Sequence, residues 1–348
     1  MIHHILNKIH IPVLSLCLVL AFTACDDWTD IEGLDINQQN PTESNPELYA
    51  QYLESLRTYK QNDHKVVYAW FNNSEKSPVS RGQHMSDLPD SLDVVSLLHP
   101  DELADFEMKE MEAIRTDKGT KVVYSISYET IKKTYEQMVK EQTALNESYV
   151  APVFVTYLNE SVANELIPAT TYNYDGIIMG YKGAGTIYMT EAEKAVYQAN
   201  QEAFLSAITT WQTANSSKML VFEGNPQNLL NKSILSSCKH IILNTSDMTT
   251  SGALSLAALM ALTDGVPSDK FVVATKTASL DTTDKKTGYF DNGERSVIES
   301  AYWVTQQEST YTKAGLGIYD IQNDYYNPST TYQYAKEAIN IMNPAPIK

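Results

Sequence analysis

Short runs of β-branched and aromatic residues alternate with stretches of helical spacing along nearly the whole chain, and this alternation restricts the fold more than any other feature. The runs occupy residues 65–71, 92–97, 121–127, 151–155, 174–181, 218–222, 240–244, 271–274 and 315–321. Helical spacing marks residues 46–59, 101–116, 128–144, 190–214, 252–261 and 296–307. The runs are apolar almost throughout, as strands are when helices cover both faces of a parallel sheet. The count points to an α/β (β/α)8 TIM barrel, with one run more than eight and an irregular helix after the sixth barrel strand. A doubly wound open sheet is the alternative. No Gly-rich phosphate fingerprint follows an early run, which argues against a nucleotide-binding version of that sheet.

The N-terminus reads as a targeting segment. Residues 1–24 carry Lys8, three histidines and no acidic residue, and an apolar stretch covers 11–22. That stretch is too short to span a bilayer and has the length of a signal-peptide core. It ends in Phe22-Thr23-Ala24-Cys25, which resembles a bacterial lipobox, with Phe22 where leucine is usual. Asp26, Asp27 and Asp30 follow at once and resemble the surface-export signal of Bacteroides-type lipoproteins. The expected organisation is a lipoprotein signal over 1–24, lipidation at Cys25, a flexible tether over 25–47 and a barrel over 48–348. Such a lipidated terminus supplies enough methylenes for outer-membrane anchoring, with cell-surface exposure. A buried N-terminal helix that ends in cysteine is the other reading.

Charge and cysteine content narrow the partners. The full chain has a net charge of −17, and removing residues 1–24 takes away Lys8 alone. A chain this acidic repels nucleic-acid phosphates and anionic membrane surfaces. Cys17 leaves with the signal and Cys25 takes the lipid, so Cys238 stands alone without a disulfide partner. His64, His84, His99 and His240 are scattered without zinc-ligand spacing. Calcium loops and a G-x-S-x-G elbow are absent from the sequence, and no cofactor or metal is expected.

The most specific stretch is Tyr174-Asp175-Gly176-Ile177-Ile178-Met179-Gly180-Tyr181-Lys182. It resembles the fourth barrel strand of family 18 glycoside hydrolases, the chitinases and endo-β-N-acetylglucosaminidases, whose motif there is D-x-x-D-x-D-x-E. The first Asp of the motif falls on Asp175, the second on Ile178, the third on Gly180 and the Glu on Lys182. The resemblance implies that the ordinary reaction is unavailable. In that chemistry the substrate's 2-acetamido oxygen attacks the anomeric carbon, the Glu protonates the leaving oxygen and the preceding Asp holds the acetamido group. A lysine, with an ordinary pKa of about 10.4, is a poor proton donor there. Gly180 has nothing with which to orient a substrate. Glu129, Glu223, Asp320 and Asp324, near predicted C-terminal strand ends, are candidate replacements, although a solvated surface carboxylate is the commoner role for each. Alternatively, Tyr-Asp-Gly-Ile is a turn that enters a buried strand.

A mouth without that pair can still bind. Trp70 and Asn72 close the first strand, Tyr128 follows the third, Tyr181 and Lys182 end the fourth and Glu223 the fifth. Tyr319, Asn323, Asp324 and Tyr325 follow the last strand, where the resemblance implies an aromatic floor beneath the sugar. Aromatic rings stack on sugar faces while neighbouring amides and carboxylates bond the hydroxyls. The expectation is a surface lipoprotein that is not an enzyme and captures N-acetylglucosamine-containing glycans for neighbouring outer-membrane degradation and uptake proteins. An active endo-glycosidase with a relocated acid, and a structural or adhesive protein that binds no sugar, are the alternatives.

Overall fold

A computed structural model describes residues 45–344. The signal, Cys25 and most of the tether lie outside these residues. The unit that begins at Gln51 holds a closed barrel of eight parallel strands in sequence order. They are β1 (Val66–Phe71), β2 (Val94–Leu97), β3 (Lys121–Ser127), β4 (Gly176–Tyr181), β5 (Met219–Gly224), β6 (Ile241–Leu243), β7 (Phe271–Lys276) and β8 (Lys313–Tyr319). The described helices are α1 (Pro46–Gln61), α2 (Asp105–Lys118), α3 (Tyr128–Leu145), α4 (Phe154–Glu165), α5 (Ile167–Thr171), α6 (Glu191–Ala214), α7 (Ser251–Ala261), α8 (Ser296–Thr305) and α9 (Gln333–Met342).

Alternation along each strand builds two apolar layers. In β1, Val67, Ala69 and Phe71 join the outer core under the helices, while Tyr68 and Trp70 enter the barrel with Val94, Val123, Ile178, Val221, Ile242 and Val272. Each fully buried Val, Leu, Ile or Phe contributes about 1.5–3 kcal/mol, so both layers stabilise the closed sheet. The inner layer also matches sizes around the ring. Trp70 projects inward where β8 carries Gly317, and a Cβ on residue 317 would lie 2.8 Å from Trp70 Cζ3.

Two departures from the sequence reading have local causes. Residues 151–155 do not form a strand; α4 begins at Phe154 and buries Leu158 and Val162 on one face, four residues apart. The β-branched run there contains Pro152, which cannot donate to a ladder, and the closed barrel takes its eight strands from elsewhere. The irregular connection follows β5 rather than β6, as short 3₁₀ turns over Pro226–Asn228 and Ser233–Ser237, whereas β6 is followed by the regular α7. Helix α6 starts at a capping box: the Thr190 hydroxyl accepts from the Glu193 N–H, and the Glu193 carboxylate accepts from the Thr190 N–H at 2.8 Å.

Candidate functional site

The mouth at the C-terminal strand ends is built first by β4. Ile178 and Gly180 face the interior, and Lys182 stands just beyond the strand with its side chain exposed. A larger residue at position 180 would be crowded by Ser127. A Cβ there would lie 3.2 Å from Ser127 Cβ and 3.3 Å from Ser127 Cα, because β3 approaches closely at the residue that caps α3. The Lys182 and Gly183 N–H groups donate to Glu129 Oε1 at 2.8 and 2.9 Å, so Glu129 ties down the loop after β4. Its other oxygen is buried without a hydrogen-bond partner among the described residues. Asp175 belongs to the opposite end of the strand, where its carboxylate accepts from Arg115 Nε at 2.6 Å and from the Val122 N–H at 2.9 Å.

The carboxylate in the mouth comes from β5. Glu223 is the Cα partner of Gly180 in the β4–β5 ladder. The Tyr319 hydroxyl reaches across from β8 and donates to Glu223 Oε1. Burial pushes the Glu223 carboxyl above its ordinary range, and Glu129 adds to that rise. The Tyr319 hydrogen bond and the nearby Lys182 charge pull it back without cancelling it. Burial and the facing carboxylate together hold the Tyr319 phenol well above its usual value. Its ring lies flat on Trp70, with centroids 3.9 Å apart and planes 16° from parallel. The mouth thus has an aromatic pair as its floor, a carboxyl at its centre and Lys182 on its rim.

The residues proposed from the sequence divide accordingly. Asn72, Lys182, Glu223 and Tyr319 stand around the mouth; Asn72 is exposed and its backbone N–H donates to Gln322 Oε1 at 3.2 Å. Trp70 is only 2% exposed and supports Tyr319 from below, so the expected direct contact with ligand is corrected to a supporting one. Tyr181 is corrected likewise. Adjacent to inward Gly180 on an alternating strand, it points outward beneath the helices, packs on Tyr128 and accepts from Gln201 Nε2 at 2.9 Å. Tyr128 opens α3 and packs on Phe204 in the same outer core. Asp324 is buried: its carboxylate accepts from the Ala335 N–H at 2.8 Å and from the Asn327 amide at 2.7 Å, tying the turn after β8 to α9. Tyr325 is half-buried against Tyr332, and Asn323 donates to the Ala278 carbonyl at 3.4 Å.

Of three cavities outside this centre among the described residues, two bear on the reading of the site. One of about 1280 Å³ opens at the N-terminal strand ends, lined by Lys65, Lys218, Lys270 and His240 among others. Its lysines donate to backbone carbonyls, Lys218 to Tyr174 at 2.6 Å and Lys270 to Cys238 at 2.9 Å. That end of a barrel serves stability rather than chemistry, so its size does not make it the site. The second, about 220 Å³, lies between the loops after β7 and β8 and contains Arg295. The sequence reading passed over Arg295, whose signal was only a lone basic residue after an acidic loop. Among the described residues no group of side chains could hold a metal ion.

The fold is a closed (β/α)8 barrel whose mouth, at the C-terminal strand ends, holds an aromatic floor and a carboxyl. The chain belongs to glycoside hydrolase family 18, BT1044-like, whose family model matches residues 29–341. Among solved structures it resembles a selenomethionine-labelled glutamate-to-glutamine variant of BT1044, with 17% identity and a TM-score of 0.61 over 87% of this chain and 95% of that one. It also resembles the apo endo-β-N-acetylglucosaminidase of Cordyceps militaris, with 15% identity and a TM-score of 0.53 over 84% and 96% of the two chains. A doubly substituted form of that enzyme, in complex with fucosyl-N-acetylglucosamine-Asn, aligns at 16% identity and a TM-score of 0.52, over 84% of this chain and 95% of that one. No curated protein matches the sequence.

Proposed function

We propose that this protein is a lipid-anchored, non-catalytic member of the family that binds N-acetylglucosamine-containing glycans in the barrel mouth. The observation that carries the reading is the β4 pair: Gly180 and Lys182 stand where the motif has its Asp and Glu, and Ser127 crowds the Cβ site of residue 180. A substrate-assisted cleavage needs an acid at the leaving oxygen and a carboxylate behind the acetamido group. A lysine ammonium beside an oxocarbenium-like centre works against both needs. Binding needs neither. Tyr319 supplies a ring face, and Glu223, Asn72 and Lys182 supply polar groups around it. The complex of a related barrel with fucosyl-N-acetylglucosamine-Asn supports an N-glycan core as ligand. In this reading Cys25 carries the lipid on the outer membrane, and captured glycan passes to neighbouring degradation and uptake proteins.

The test uses soluble protein starting at Trp28 with N-glycoproteins and chito-oligosaccharides, read by calorimetry for binding and mass spectrometry for cleavage. Binding without new fragments supports the proposal; released fragments refute it. Loss of labelled palmitate and of membrane association in Cys25→Ser tests the anchor. One observation favours a second reading, an active enzyme with a relocated acid: burial raises the pKa of Glu223 at the centre of the mouth. Cleavage by the wild type that disappears in Glu223→Gln would establish it.

A further inference from the structure

We propose that Arg295 binds the carboxylate of an acidic monosaccharide in the small pocket between the loops after β7 and β8, a second sugar site beside the mouth. The proposal extends the glycan-binding reading and rests on it for the class of ligand.

The argument starts from how Arg295 is held. Residues 289 and 295 form an antiparallel bridge, closed by the Phe290 N–H donating to the Glu294 carbonyl at 2.9 Å and by Gly293 at φ +84°. The bridge places the Arg295 guanidinium over two aromatic rings, with Cζ 4.5 Å from the Tyr289 ring centroid and 4.7 Å from that of Tyr334. Both rings are fixed in turn, Tyr289 by the bridge and Tyr334 at the start of α9, where its N–H donates to Asp324 Oδ1 at 3.4 Å. A cation held over aromatic rings spends none of its N–H donors on them. Among the described residues the guanidinium donates no hydrogen bond and joins no ion pair, and Arg295 lines the pocket, where its charge opposes the rise that burial gives the Asp324 carboxyl. A planar fork of donors without a hydrogen-bond partner among the described residues matches a carboxylate in bidentate geometry.

The rest of the wall selects what carries the carboxylate. Asp281, Asp284 and Asp324 also line the pocket, with Lys285 as its other cation. Asp284 is committed to the Lys286 and Thr287 N–H groups, and Asp281 to Thr283. Asp324 is committed to α9. These carboxylates repel a bare anion, yet their remaining lone pairs accept hydroxyl donors. The combination suits a ligand with one carboxylate and several hydroxyls, and a pocket of about 220 Å³ admits only a small one. Hexuronates and nonulosonates share this chemistry.

The experiment titrates the soluble protein from Trp28 with glucuronic acid and with N-acetylneuraminic acid. Glucose, N-acetylglucosamine and acetate serve as controls. One or both acids should bind at least about tenfold more tightly than every control, and the acid that binds identifies the source. Arg295→Lys keeps the charge but loses the fork, and should weaken acid binding about tenfold. Arg295→Gln should weaken it further, and thermal melts check both variants for folding. If the Gln variant does not fold, the Lys variant decides. Acid binding no tighter than glucose or acetate, or unchanged in Arg295→Lys, overturns the proposal. Chito-oligosaccharide binding measured alongside separates the two sites. Its persistence while the acids fail sinks this inference alone, and the reverse sinks the reading of the mouth.

Discussion

Removing one hydroxyl tests how the mouth is held together. Tyr319→Phe keeps the ring on Trp70 but leaves Glu223 Oε1 without its donor. A hydrogen bond to a charged acceptor contributes about 1.5–3 kcal/mol. Burial already holds the Glu223 pKa above its ordinary value, and the Tyr319 bond opposes that rise, so the variant raises it further. Because the folded protein holds this proton more tightly than the unfolded chain, stability is intact below the unfolded carboxyl pKa of about 4.3. It falls as pH rises through the interval up to the folded value, and the variant widens that interval. The expected loss is about 2 kcal/mol at a pH where the folded carboxyl is ionised, shrinking to about 1 kcal/mol or less near pH 4, where the carboxyl is largely protonated in both states. Urea unfolding followed by tryptophan fluorescence at both pH values measures it, with constant m-values as the control. An equal loss at both pH values, or wild-type stability throughout, would refute the phenol–carboxylate clasp.

Three further predictions follow from the same geometry. Gly317→Ala places a methyl 2.8 Å from Trp70 Cζ3 and should cost about 1–3 kcal/mol, with a shift in tryptophan emission as the ring is displaced; an unchanged spectrum and melt would contradict the packing. The two histidines at the base of the barrel should titrate apart in NMR. His240, buried near Lys239 and Lys270, has its pKa pushed down to about 4, whereas the Asp93 hydrogen bond raises that of His64. His240 therefore costs stability as pH falls from about 6.5 toward 4, while the contribution of His64 is complete below about 6.5 and fades as pH rises through its raised value. Coincident midpoints would refute the assignment. Cys238, with its thiol pushed up to about 12 by burial, should resist a thiol reagent in the native soluble form from Trp28 and react at once in denaturant. Rapid native labelling would show that the 3₁₀ turn beside it opens.

Much of the barrel was legible because its strands are covered on both faces. A run such as Val66–Phe71 stays apolar at every position, and nothing but a parallel sheet under helices uses that pattern repeatedly. The pattern over-reached at residues 151–155, where α4 took over, because a short apolar run does not reveal whether its neighbours will pair with it. It also missed α9, whose Ala335, Ala338, Ile339 and Met342 lie on one face but follow a turn rich in polar and aromatic residues. The candidate site was legible where strand parity decided it. Positions 178 and 180 face inward because side chains alternate, and residue 182 follows at the rim.

The order of strands and the residue types at positions 178, 180 and 182 along β4 were thus determined by the sequence alone, being matters of periodicity and residue type. The partners across the barrel were decided only by the tertiary structure. Tyr319 meets Glu223 across 96 positions of chain, and Trp70 lies under Tyr319 because Gly317 leaves room for its ring. The same closure turns Tyr181 outward, commits Glu129 to backbone amides and brings Tyr289 and Tyr334 against Arg295. Each of these is a contact between distant segments, set by how eight strands close around a narrow interior, and local pattern carries no record of it.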